Sequence, residues 1–328
     1  MLSRVADAIY WMNRYIERAE NTARFVDATL QLTLDLPGGS DAQWAALVQL
    51  TGDSARFQER FGKATKDTVV AFFSLDADHP SSIVSCVHAA RENARAVRES
   101  ITAEMWEQVN KFYLLLRAAA ASGSVVEAPH EFFTAVKLAS QLYVGITEAT
   151  LSSGDGWHFG RLGRLLERAD MTARILDAKS LILRPASSGD GLPGDDIQWS
   201  AVLRSVSALE MYRKRYGRIT PDQVTEFLIL DREFPRAIHA CVARAEESLR
   251  ALSSTPLRGA FQNTAEQRLD RLRSDLAYAQ LQDIVAGGLH AFLNAFQARL
   301  NDVGAAIFDT FFAVPPVTAL TTSLQDTN

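Results

Sequence analysis

Cysteine is scarce. Cys86 and Cys241 are the only two in 328 residues and lie far apart, so a disulfide scaffold is excluded and reduced thiols in a cytoplasmic protein are expected. The six histidines form no His-Glu-x-x-His, and two isolated cysteines cannot supply a Cys-x-x-Cys. The paired Glu-x-x-His of carboxylate-bridged bundles is missing as well, so neither a metal nor any other cofactor is expected. No Gly-x-x-x-x-Gly-Lys-Ser/Thr loop is present and no Gly-x-Gly-x-x-Gly follows a strand, which removes the familiar nucleotide sites. Apolar runs of the roughly 20 residues a membrane helix needs are absent, because Arg117 breaks the run from Tyr113 and Asp309 the run from Val303. The opening residues lack the apolar core of a signal peptide, so no membrane association is expected. With 34 Lys and Arg against 39 Asp and Glu, a net charge of -5, there is no basic footprint for phosphate backbones, and nucleic acid is not an expected partner. Alternating β-branched runs bounded by turns are missing too, which leaves no signal for a sheet.

What is present is a chain of ordinary globular composition, 47% hydrophobic and 22% charged, long enough for two domains or one large one. It also resembles itself. Residues 10–27 match 160–177 at 8 of 18 positions, including Arg14, Glu17, Arg18, Arg24 and Asp27 against Arg164, Glu167, Arg168, Arg174 and Asp177. Unrelated chains of this composition would share about one. A second block, 43–86 against 198–241, has 14 identities in 44 without a gap, among them Gln43-Trp44, Gly62, Phe72, Leu75-Asp76, Pro80 and Cys86. The offset changes from 150 to 155 between the blocks, which places a five-residue insertion in the Ser/Gly/Pro-rich stretch 185–194. The expected fold is therefore all-α: an internally duplicated helical bundle, two repeats of about 150 residues related by a pseudo-two-fold axis, spanning 1–153 and 154–316 with a polar tail at 317–328. Helical spacing predicts helices over about 2–34, 41–60, 66–75, 81–98, 104–121 and 130–152 in the first repeat, with Ser81-Ser82 as an N-cap.

Tyr10, Arg14, Glu17, Asn21 and Arg24 share one face of the opening helix, with Arg18 and Glu20 on its flanks. Arg164, Glu167, Met171 and Arg174, flanked by Arg168 and Asp170, repeat the pattern. Solvated i,i+4 pairs contribute a few tenths of a kcal/mol each and are easily exchanged, so retention of the same residue types in both copies implies a shared task. That task is either a buried ion-pair network that fixes how two helices meet or a ligand or catalytic site. A further polar set, Arg91, Glu92, Asn93 and Arg95, sits in the first half, where the second keeps only the Glu92 and Arg95 equivalents. Cys86 and Cys241 read as core, and so do Trp44 and Trp199.

Tyr10-Trp11 through Glu17-Arg18-Ala19-Glu20-Asn21, the Ala89–Arg95 segment, Trp106-Glu107, and Gly156-Trp157 followed by Leu162–Asp170 together resemble the bacterial alpha-E domain family along essentially the whole chain. The resemblance implies an all-helical protein with a characteristic Glu-Arg pair, here Glu17-Arg18 and Glu167-Arg168. It implies further that the protein is encoded beside, or fused to, a circularly permuted ATP-grasp ligase and a transglutaminase-like cysteine peptidase. That company points to peptide synthesis or modification and carries no mechanism by itself. The leading expectation is a non-catalytic helical partner that docks on the ligase or presents its peptide. The alternatives are an enzyme using Glu17 or Glu167 as general base while the arginines hold a carboxylate or phosphate, and a purely structural protein.

Overall fold

The computed structural model describes residues 1–35, 40–182, 195–256 and 259–313; the stop at 36–39, the insertion at 185–194 and the tail at 317–328 lie outside them. Among the described residues there are sixteen α-helices and no strand. Two long helices are central: α1 (Ser3–Asp35) and, after seven intervening helices, α9 (Asp155–Ile182). Ile9, Met12, Ile16, Ala19, Ala23, Val26 and Leu30 recur at alternating spacings of three and four along α1, and all are buried. Leu162, Leu166, Ala169, Ala173 and Leu176 do the same on α9. Both helices also bury charged residues on their other faces, so neither has a solvent side of the ordinary amphipathic kind.

Between them come α2 (Ser40–Leu50), α3 (Ser54–Phe61), α4 (Lys66–Leu75), α5 (Ile83–Ala96), α6 (Ala103–Ser122), α7 (Ser124–Glu127) and α8 (Pro129–Thr150). After α9 follow α10 (Asp195–Ser205), α11 (Leu209–Arg215), α12 (Pro221–Leu230), α13 (Ile238–Leu252), α14 (Thr264–Tyr278), α15 (Leu281–Gly287) and α16 (Leu289–Ile307). Helices α5 and α8 pack on α1, with α6 bridging them; α13 and α16 pack on α9, with α14 in the bridging place. A π-helical turn, Phe308–Phe312, closes one end, where Phe312 meets the rings of Tyr10 and Phe159. Trp44, Trp199, Cys86 and Cys241 are buried, and both thiols are free.

The single helix expected over 41–60 is two helices. Gly52 between them takes a φ of 77°, a left-handed conformation that ends α2 and turns the chain into α3. Of the two serines expected to cap the next helix, Ser82 does so, its hydroxyl accepting from the Ser85 amide at 3.2 Å.

Helix α1 lies close on α9 because α9 presents glycines to it. A Cβ added at Gly163 would stand 2.5 Å from the Tyr10 carbonyl oxygen, and one at Gly160 would stand 2.8 Å from the Asn13 side chain. Gly163→Ala must therefore push the two central helices apart, and we expect a loss of about 1–3 kcal/mol in urea unfolding. Gly145→Ala, on an exposed face of α8 with nothing within 4 Å, should instead stabilise by about 0.5–1 kcal/mol.

Candidate functional site

The charged faces of the two central helices are turned toward each other. Glu17 on α1 accepts from Arg168 of α9 in the bidentate manner, Nε to Oε1 and Nη2 to Oε2, both at 2.8 Å. Glu167 on α9 is held reciprocally by Arg18 of α1, at 2.6 Å to Oε1 and 3.0 Å to Oε2, and Arg14 Nε adds a bond of 2.8 Å to Oε2. Each carboxylate is 1% exposed, so bulk solvent does little of the task. Burial alone would raise both carboxyls, but the arginines outweigh it. Arg168 and then Arg236 hold Glu17 below the ordinary carboxylate range, and Arg14 and Arg18 bring Glu167 down to about 2.

Around Glu17 the network extends further. Arg236, in the turn before α13, donates one Nη1 to Glu17 Oε1 at 3.0 Å and to Asn21 Oδ1 at 2.7 Å, and its Nη2 to Glu20 Oε1 at 2.6 Å. Asn21 Nδ2 also donates to Glu17 Oε1, Arg24 forks onto Glu20 Oε1, and Ser140 of α8 donates to Glu20 Oε2. Arg24 reaches on to the Ser207 hydroxyl beyond α10. On the α9 side, Arg174 donates to Asp170 Oδ2 at 2.8 Å, while Asp170 Oδ1 is buried with no partner. Arg164 turns away from the clasp and donates to Glu148 of α8.

Of the residues singled out in the sequence, the structure thus gathers Glu17, Glu20, Asn21, Arg24 and Arg168 into one polar set and Arg14, Arg18 and Glu167 into a second across the same helix pair, with Asp170 and Arg174 beside the second. Arg91, Glu92, Asn93 and Arg95 form a separate, half-exposed set on α5. Arg91 donates to Asn110 of α6 and to Glu92, stands 4.7 Å over the Tyr113 ring, and shares Trp106 with Arg98. Arg95 pairs with Glu92 alone. These contacts tie α5 to α6. Among the described residues no group of three or more His, Cys, Asp or Glu is placed to hold a metal ion, and no helix is long and apolar enough to cross a membrane.

Sequence reasoning missed Arg236. In the ungapped match of 43–86 with 198–241 it stands opposite Ser81, so a search for shared charges passes over it; the mismatch itself was the available signal. Asp27 was noticed only as a repeated residue, yet it is buried and holds His130 and Lys137 of α8 at 2.7 Å each, as Asp177 holds His290 of α16. Beside Glu167 opens a cavity of about 250 Å³, with Arg18, Asp53, His79, Ser81, Asp170 and Arg174 on its wall.

A family model matches residues 1–312, described as "a predicted alpha-helical domain with a conserved ER motif". The chain belongs to the Alpha-E family. The two Glu-Arg dipeptides that stand at matching places in the sequence, 17–18 and 167–168, are the two that clasp each other across the central helices of this Alpha-E protein. Uncharacterised proteins of Mycobacterium bovis and Mycobacterium tuberculosis are 26% identical over 336 residues, covering 95% of this chain. The chain spans 37% of the length of those relatives. No solved structure matches.

Two outcomes follow from the burial of the clasp. Glu17→Gln leaves the Arg168 guanidinium without its counter-charge and Arg236 with Glu20 alone, and should cost about 3–5 kcal/mol in denaturant unfolding, whereas Glu59→Ala, exposed on α3, should stay within about 0.5 kcal/mol of the parent. Because folding lowers both carboxyls, their contribution is complete above the ordinary value of 4.5 and is lost as the pH falls toward about 2. A thermal unfolding series should accordingly show the melting temperature falling through that window, with the fall blunted in Glu167→Gln.

Proposed function

We propose that this Alpha-E protein is a non-catalytic helical partner in an ATP-grasp peptide ligase system, one that docks on the ligase or presents its peptide substrate in the cytoplasm. The observation that carries the non-catalytic half of this reading is that each oxygen of Glu17 and Glu167 already accepts from an arginine. A general base needs a lone pair free to take a proton and a basicity near the working pH. These two carboxylates spend their oxygens on arginines and are held below their ordinary range, which weighs against the alternative in which either acts as base. The arginines of the clasp are equally committed, which weighs against their gripping a substrate carboxylate or phosphate while the clasp is intact.

The partnership half rests on the family resemblance and on the relatives' length. A helical unit that fills 37% of a longer relative stands there beside other chain, as a partner subunit would stand beside a separate ligase. Duplication belongs to the same reading. We take 1–153 and 154–316 as two copies of one unit, supported by the repeated sequence blocks and by contacts that recur in pairs: Arg18 on Glu167 with Arg168 on Glu17, and the Cys86 thiol on Pro80 with Cys241 on Pro235. A two-fold molecule with fixed central helices is suited to present a rigid face.

Ligation by way of an acyl phosphate requires that water be excluded and the incoming amine positioned, which a docked helical cover can do. The test mixes the purified chain with an ATP-grasp ligase encoded beside it and follows complex formation by size-exclusion chromatography and phosphate release with candidate peptides. We expect no ATP hydrolysis by the chain alone, a co-eluting complex, and peptide-dependent turnover that changes on mixing. Substrate turnover by the chain alone, lost in Glu17→Gln or Glu167→Gln with the fold intact, would replace this reading with the enzymatic one.

A further inference from the structure

Arg236 shows how the clasp accepts a third guanidinium. Its planar fork spans two carboxylates on successive turns of α1, Glu17 and Glu20, and Asn21 takes part. The matching positions on α9, at an offset of 150, are Glu167, Asp170 and Met171, and the position matching Arg236, at an offset of 155, is Ser81. Ser81, Glu167, Asp170 and Met171 all line the 250 Å³ cavity. Where one side of the molecule carries its own guanidinium, the other carries a hydroxyl and empty space.

The acceptors left by this exchange are still in place. Among the described residues, Glu17 Oε1 receives three donors, from Arg168, Arg236 and Asn21, while Glu167 Oε1, the oxygen that meets Arg18 Nε, receives that donor alone. Asp170 Oδ1 is buried and receives none from them. His79, 2% exposed on the cavity wall, makes no hydrogen bond to them through either ring nitrogen, and its Nε2 lies 3.8 Å from Asp53. Buried acceptors without donors are costly, and a cavity lined by them is suited to a ligand that brings donors.

The wall has also become more polar than its counterpart. Thr51, Asp53 and His79 occupy positions that match Val206, Ala208 and Phe234. Charge follows the same logic. On the Arg236 side two carboxylates, Glu17 and Glu20, face three guanidiniums, those of Arg24, Arg168 and Arg236. On the cavity side Asp53 joins Glu167 and Asp170, and these three stand against Arg14, Arg18 and Arg174. One added monocation gives the cavity side the same excess of one positive charge.

We propose that this cavity is a binding site for the guanidinium group of a ligand, seated on Glu167 and Asp170 as the Arg236 guanidinium sits on Glu17 and Glu20. Two sources carry that chemistry, a free guanidino compound and an arginine side chain within a peptide, and the site recognises the head group of either. The assignment is independent of the ligase partnership, since it rests on this chain's own acceptors and is read by binding to this chain alone.

The test measures thermal shift and calorimetric binding on the purified full chain with agmatine, with an arginine tripeptide blocked at both ends, and with N-carbamoylputrescine, which keeps agmatine's ammonium but carries an uncharged urea in place of the guanidinium. We expect at least one guanidinium probe to raise the melting temperature in a saturable manner and the urea to have no effect. Response to agmatine alone assigns a free ligand, and response to the blocked peptide assigns a peptide arginine. Asp170→Asn should weaken binding by about tenfold or more, through loss of a charged acceptor. Ser81→Arg should raise the melting temperature without ligand and abolish the response, because the chain then fills its own site; should that variant fold poorly, Asp170→Asn still decides. Absence of a shift with both guanidinium probes at millimolar concentration, an equal response to the urea, or undiminished binding in Asp170→Asn would overturn the assignment.

Discussion

Two carboxylates shut away from bulk solvent need arginines, and in this molecule the clasping arginines come from the opposite helix. Glu17 with Arg168 and Glu167 with Arg18 form a crossed pair of ion pairs between α1 and α9, each completed by bidentate geometry. Desolvating such groups costs several kcal/mol per ion, and only partners in the correct register recover it. A shift of one helix along the other by a single turn would strand four charges. The glycines at 160 and 163 let the helices approach closely enough for the side chains to meet, and the clasp fixes where along the helices that approach occurs.

The rest of the architecture serves that crossing. Helices α5 and α8 on one side and α13 and α16 on the other wrap the pair, α8 supplying Ser140 to the polar network and Glu148 to Arg164 outside it. Asp27 and Asp177, farther along α1 and α9, anchor the flanking helices through His130 and Lys137 and through His290. The free thiols of Cys86 and Cys241 are pushed up to about 12 and about 11 by burial, so they remain protonated packing groups rather than nucleophiles.

The same crossing is unequal in its details, and the inequality concerns chemistry rather than stability. Around Glu17 every strong acceptor is engaged by the chain itself, through Arg236, Asn21 and Ser140. Around Glu167 the equivalent space is open and its acceptors are incompletely used. Met171 in place of Asn21 and Ser81 in place of Arg236 are the substitutions that separate the two.

The amino-acid sequence by itself determined the helical class, because the alternating three- and four-residue spacing along α1 and α9 and the lack of β-branched alternation permit little else. It also marked Glu17, Arg18, Glu167 and Arg168, since charged residues retained at matching places in one chain imply a constraint. It placed 41–60 in one helix, because Gly52 within an otherwise helical pattern does not announce a left-handed turn until its neighbours fix it. Spacing along a helix sets which residues share its face, but not which face of which other helix they meet. Whether the Glu-Arg pairs were solvated or buried was therefore decided only by the tertiary structure, which set them opposite each other. Arg236 entered the network the same way, from 215 residues beyond Asn21 in the chain, by a long-range contact that no local pattern encodes.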